Sequence, residues 1–180
     1  MASSQDRATF VAGAIVIGAA VLVGLTVLPR ISPSRASSDE GERKPAPEFS
    51  LPVATKGDPG SRLALADMKG SPVLLDFWAT WCGPCSLQSP IVDRIARRYE
   101  EKGLHVVGIN VIDDDHAAAA AHGKSFAYPI VIDETGLTQK AYGVDRLPTL
   151  VLIDKEGRVV KQTHGLVDES SLDKMVRDIL

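Results

Sequence analysis

Hydrophobic positions divide the chain into a long apolar block, a polar stretch, and a region where short apolar runs alternate with helical spacing. From Phe10 to Leu28 every position is apolar, glycine or Thr26, and none is charged. Roughly 19 residues at a 1.5 Å rise span about 28 Å, close to the hydrocarbon thickness of a bilayer. A cleaved signal peptide has a shorter apolar core and then a small-residue cleavage site. Here the run ends in Leu28-Pro29-Arg30 without a clear Ala-x-Ala. The expectation is a short tail over residues 1–9 and an uncleaved transmembrane signal-anchor over 10–28. A cleaved signal and a buried soluble helix are the competing readings. Arg7 lies before the span and Arg30 and Arg35 after it, so charge leaves the orientation open. The next stretch is rich in Ser, Pro, Arg and Glu and has no apolar period. Residues 29–44 read as a flexible linker, and residues 45–180 as the folded domain.

Within that domain, Glu48 to Val53 reads as an edge segment, Arg62 to Leu65 as a short strand and Ala66 to Gly70 as a turn. Val73 to Trp78 is a near-continuous apolar run, the pattern of a strand buried on both faces. Pro84 to Tyr99 has helical spacing: Leu87, Ile91, Ile95 and Tyr99 recur every four residues. Pro90 falls inside and should kink the helix. His105 to Val111 is a second buried strand. Asp113-Asp114-Asp115 before an alanine run reads as a helix start, where acidic residues suit the dipole; a metal site is the sharper alternative. Ile130 to Ile132 is a short strand and Thr135 to Tyr142 a short helix. Leu150 to Ile153 and Arg158 to Gln162 flank the hairpin signal Asp154-Lys155-Glu156-Gly157. Asp168 to Leu180 carries Leu172, Met175, Val176 and Ile179 on one apolar face. The expected fold is α/β, a central mixed β-sheet flanked by helices.

Composition narrows function. The 180 residues suffice for one domain of ordinary size, and the net charge of -3 leaves no basic footprint for nucleic acid. The only two cysteines lie in Trp81-Cys82-Gly83-Pro84-Cys85, where the first buried strand feeds a helix. That placement points to a redox pair. One sulfur can attack a partner's disulfide and the other can resolve the mixed disulfide. Unpaired N–H groups and the partial positive charge of the helix start favour Cys82 as thiolate. A structural disulfide more often clamps distant segments. A zinc site needs about four ligands, and no second cysteine pair or spaced histidines supply them. Two inert buried cysteines would not need the helix start. Asp76 sits in an otherwise apolar strand, where desolvation should raise its pKa and suit it as a base for Cys85.

Asp76 to Cys85, Pro90, and Leu147-Pro148-Thr149 together resemble the thioredoxin fold. The apolar N-terminal segment, Pro47-Glu48-Phe49-Ser50-Leu51 and the long stretch between Asn110 and Tyr142 narrow this. They resemble the TlpA/ResA/DsbE group of membrane-tethered thiol–disulfide oxidoreductases. The resemblance implies Cys82 as exposed nucleophile, Cys85 as resolving thiol and Asp76 as the buried aspartate. It also implies Pro148 as a cis-proline against the disulfide, with the Leu147 backbone an edge for an extended substrate. Trp81, Gly83, Pro84 and Thr149 complete the implied substrate surface, with Trp78 the second member of the aromatic pair. Gln88 stands where ResA-like proteins carry glutamate, and Thr149 where DsbE-like proteins often do.

The resemblance implies a monomeric protein-disulfide reductase that needs no cofactor or metal. Its partners would be disulfide-containing extracytoplasmic proteins and a membrane thiol electron donor. Apocytochrome c haem-site cysteines and copper-site assembly factors are the substrates it suggests. Such a domain belongs on the periplasmic side of the cytoplasmic membrane, since soluble reductants abound inside. Two other functions compete. A thiol peroxidase would place Thr three residues before the reactive cysteine, where Ala79 stands. A Cu(I) metallochaperone would use soft thiolates, but with wider cysteine spacing and a histidine.

Overall fold

In the computed structural model, residues 43–58, 60–113 and 115–180 are described. The tail, the anchor and nearly all of the linker lie outside these residues. Among the described residues no helix is long and apolar enough to cross a membrane.

The apolar runs become β3 to β6 of a mixed sheet. A hairpin of β1 (Ser50–Pro52) and β2 (Arg62–Ala64) precedes β3 (Val73–Trp78), α1 (Gly83–Tyr99) and β4 (His105–Val111). Then follow α2 (His116–Gly123), β5 (Ile130–Asp133), α3 (Leu137–Ala141), β6 (Thr149–Ile153), β7 (Val159–His164) and α4 (Glu169–Arg177). The sheet order is β5-β4-β3-β6-β7. β3 pairs parallel with β4 and antiparallel with β6, which places it at the centre. All six of its residues are buried, Asp76 among them, as the near-continuous apolar run requires.

Alternation along β3 builds two cores. Leu74 and Trp78 face Val92 and Ile95 of α1 and Leu172 and Val176 of α4. Leu75 and Phe77 face the hairpin side, with Phe49, Leu51 and Tyr142. Asp76 shares the face of Leu74 and Trp78, and that core also contains both cysteines.

Ala66 to Gly70, read as a turn, lies in a 3-10 turn over Leu65–Met68 and the turn at Lys69–Gly70 that follows it. Two other expectations shift. α1 runs through Pro90 without interruption, and its buried stripe is Cys85, Gln88, Val92, Ile95 and Tyr99. Leu87 is 63% exposed: the four-residue spacing drifts around a 3.6-residue helix, so the i, i+3, i+4, i+7 pattern selects the inner face. Of the three aspartates read as a helix start, Asp114 lies outside the described residues and the other two split their work. Asp115 caps α2 by accepting from the Ala118 N–H at 2.8 Å, while Asp113 reaches back to the loop before α1.

Candidate active site

The end of β3, the start of α1, the loop after β4 and the loop before β6 meet at one end of the sheet. Cys82 is the N-cap of α1, and its Sγ accepts from the Cys85 N–H at 3.2 Å. Pro84 fits the first helical turn, where its missing N–H costs nothing. The two sulfurs are joined in a disulfide across a Cα–Cα distance of 5.3 Å. Cys82 keeps 6% of its surface and Cys85 only 1%, so Cys82 is the more open of the two.

A groove of about 370 Å³ opens over Cys82, walled by Trp81, Pro84, Ile112, Arg146 and Leu147. Trp81 and Ile112 are both more than half exposed, unusual for large apolar side chains outside a contact surface. Ile112 has φ 53°, a left-handed conformation that a β-branched residue adopts only when its surroundings impose it. Those surroundings are visible. The Trp81 indole N–H donates to the Ile112 carbonyl at 2.8 Å. The Thr80 N–H donates to Asp113 Oδ2 at 2.6 Å, and the Asn110 side-chain amide donates to the same oxygen at 3.1 Å. Burial alone would raise the Asp113 pKa, but these donors outweigh it and hold the carboxyl below its ordinary value. The loop after β4 thus clamps the approach to Cys82.

The other wall is equally fixed. The Leu147–Pro148 peptide bond is cis. The Thr149 hydroxyl donates to the Arg146 carbonyl at 2.7 Å. Its one proton being used there, the contact of 3.0 Å with His164 Nδ1 requires that nitrogen to be the donor. The Gly165 N–H donates to the Pro148 carbonyl at 2.8 Å. Leu147 lines the groove, whereas Pro148 and Thr149 are buried behind it. Thr149 therefore braces the loop and does not present its side chain to a substrate.

Asp76 is fully buried, and neither carboxyl oxygen has a hydrogen-bond partner. Burial pushes its pKa up to about 7, with the Tyr128 hydroxyl opposing part of that rise. Tyr128 itself is raised, first by burial and then by the Asp76 charge. Gly108 explains how the ring gets there. It pairs with Asp76 across the parallel strands. A Cβ on Gly108 would stand 3.1 Å from Tyr128 Cε2 and 2.5 Å from Ile130 Cδ1. The missing side chain is the space that the tyrosine and isoleucine fill. Gln88 is also fully buried, and its Oε1 accepts the Val167 N–H at 2.8 Å, tying α1 to the loop before α4.

The structure thus brings Cys82, Cys85, Trp81, Gly83, Pro84 and Leu147 to one groove, with Asp76 on the core face beneath. Sequence reasoning missed Tyr128, Gly108 and Ile112, and read Asp113 only as part of a helix start or a metal site. The Ile112 clamp carries no sequence signal. Gln88 was singled out only as the position where ResA-like proteins carry glutamate, and the face expected from Leu87 and Ile91 left its burial unread.

Comparison with known proteins agrees with this geometry. The Redoxin family model matches residues 41–176. The thiol-disulfide oxidoreductase ResA of Bacillus subtilis is 32% identical over 171 residues, covering 93% of this chain and 91% of that protein. ResA of Bacillus thuringiensis subsp. konkukian is 34% identical over 142 residues, covering 76% of this chain and 77% of its own length. Among solved structures, a chain described as a DsbE thiol:disulfide interchange protein from Chlorobium tepidum superposes with TM-score 0.68 at 33% identity, covering 76% of this chain and 96% of the other. A DsbF homologue from Corynebacterium diphtheriae gives TM-score 0.68 at 28% identity, covering 78% of this chain and 89% of its own. The chain belongs to the Redoxin family, as a thioredoxin-fold redox enzyme of the ResA/DsbE thiol–disulfide oxidoreductase type whose redox pair is Cys82 and Cys85.

Proposed function

We propose that this protein reduces disulfides in extracytoplasmic proteins while anchored to the membrane by residues 10–28. The observation that carries the reading is the Cys82–Cys85 pair at the N-terminus of α1, with buried Asp76 on the same core face. In the reduced enzyme, the Cys82 thiolate attacks one sulfur of the substrate disulfide. The other substrate sulfur leaves as a thiolate. Asp76 takes the Cys85 proton, and Cys85 then attacks Cys82 Sγ. This releases the second substrate thiol and leaves the Cys82–Cys85 disulfide. Two electrons pass to the substrate, and a membrane thiol carrier restores the dithiol. Trp81, Gly83, Pro84 and the Leu147 backbone hold the substrate segment, and Pro148 and Thr149 shape that loop from behind. The apolar block before the domain supports a single membrane pass, and the abundance of soluble reductants inside the cell supports a domain placed outside. Haem-attachment cysteines of apocytochromes and the cysteines of copper-site factors are the substrates to try first.

Cys85→Ser tests the mechanism: it should accumulate a mixed disulfide through Cys82 that dithiothreitol releases, and Cys82→Ser should trap nothing. A reporter fused after Leu180 that is active in the cytoplasm would contradict the location.

A further inference from the structure

Among the described residues, five large apolar side chains are more than half exposed: Trp81, Leu87, Ile112, Leu137 and Leu166. All five lie at the end of the sheet that carries Cys82. Trp81 and Leu87 bracket the first turn of α1, Ile112 follows β4, Leu137 opens α3 beyond β5, and Leu166 follows β7. β6 runs antiparallel to both β3 and β7, so β7 ends where β3 ends. The Val167 N–H bond to Gln88 joins the neighbours of Leu166 and Leu87, and Gln139 of α3 lines the groove over Cys82. β5 and β7 are the two edges of the sheet. Four strand spacings of about 4.8 Å therefore make the rim about 19 Å wide, with Cys82 beyond the central strand. Scattered exposed leucines need no explanation, but a set confined to one end marks a contact surface.

The polar side chains around the groove are already engaged. The Trp81 indole N–H is held by the Ile112 carbonyl, and the Gln139 side-chain amide donates to the Val144 carbonyl at 3.0 Å. Among the described residues the only charged side chains lining the groove are Asp145 and Arg146, which pair with each other at 3.2 Å. What these side chains offer a ligand is apolar surface. The left-handed backbone of Ile112 costs stability and wins no burial, so its gain lies in contact with a partner.

We propose that this rim receives an extended substrate segment with apolar side chains on both flanks of the cysteine that Cys82 attacks. The proposal rests on the reductase reading above and names the substrate class. The rim continues the groove over Cys82, so one segment occupies both. About 19 Å matches about six residues of extended chain at about 3.3 Å each, three on either side of the cysteine. Unfolded chains expose such segments and folded ones bury them. A charged flank would lose hydration at the groove and find no unpaired charge to replace it.

The test uses the full chain in phosphatidylcholine nanodiscs. Two peptides carry one cysteine as its glutathione mixed disulfide, with Leu or Ser two and three residues away on each side. The Leu peptide should be preferred in kcat/KM by about tenfold, the scale of partly burying a leucine on each flank. The difference should lie in KM and persist in high salt, unlike an ionic preference. Leu137→Ser and Leu166→Ser, both at exposed positions, should each lower the Leu/Ser ratio about threefold. With Leu on one flank only, the two variants should act on opposite flanks. The ratio is taken within each protein, so any change in the redox pair itself cancels. A ratio near unity in the unmodified protein, or one undiminished in both variants, overturns the proposal and leaves the reductase reading intact. Failure to reduce either peptide overturns both. Trp78 is buried, so quenching of tryptophan fluorescence by brominated phosphatidylcholine reads Trp81. Strong quenching without peptide overturns the proposal in favour of contact with the bilayer; no quenching, with a Leu peptide that shifts the Trp81 emission, supports it.

Discussion

Replacing Asp76 with Asn should make the folded state less sensitive to pH, by an amount that follows from burial. The carboxyl is fully buried, the Tyr128 hydroxyl offsets only part of the effect of burial, and its pKa stands at about 7 against an ordinary 3.8. Between those values the folded protein holds a proton that the unfolded chain has released. Stability therefore falls as pH rises through this window, is greatest below it, and is flat above it. Each unit is about 1.4 kcal/mol, so the full loss is about 4 kcal/mol. The Asn amide brings its own unpartnered polar atoms, a cost that does not vary with pH and drops out of the comparison. Urea unfolding of the oxidised protein and of Asp76→Asn, across about pH 4 to pH 9, should show the variant gaining roughly 4 kcal/mol relative to the parent. Parallel stability curves would refute the burial argument. The same titration predicts that resolution of the mixed disulfide by Cys85 accelerates as pH rises through about 7, and that Asp76→Asn loses this step.

Tyr128→Phe removes only the hydroxyl and should raise the Asp76 pKa further, because that hydroxyl opposes the effect of burial; carboxyl NMR of Asp76 in the oxidised protein reads the midpoint, and an unchanged midpoint refutes the contact. Gly108→Ala places a Cβ 2.5 Å from Ile130 Cδ1 in a filled core, and should cost about 1–3 kcal/mol in denaturant unfolding. Asp113→Ala leaves the Thr80 N–H without its acceptor and should cost about 1–3 kcal/mol, with faster amide exchange at Thr80. Asp113→Asn, which keeps an acceptor, should lose less.

Much of the architecture could be read in the chain, because β3 and β4 are apolar over most of their lengths, Asp76, His105 and Asn110 apart, and only a doubly covered strand needs that. The pair Cys82 and Cys85 was legible for a similar reason: a Cys-x-x-Cys with proline in the first turn says where the helix begins. Asp76 stood out as a charge in a buried run. What could not be read depends on contacts between distant segments. Tyr128 precedes an ordinary strand, and only the parallel register that sets Gly108 beside Asp76 brings its ring to the carboxyl. Ile112 looks like the end of a strand, and its left-handed backbone follows from Trp81 and Thr80, more than thirty positions away in sequence. Leu87 was misassigned because a four-residue spacing approximates a helix face over one turn and fails over four.

The central claim is that the Cys82–Cys85 pair works as a reductant. The most direct test is its reduction potential, measured by equilibrating the protein in glutathione and dithiothreitol buffers and counting free thiols. The account predicts about −250 mV or lower, in the range of reducing thioredoxins. A value near about −120 mV, where disulfides are donated to substrates, would contradict it.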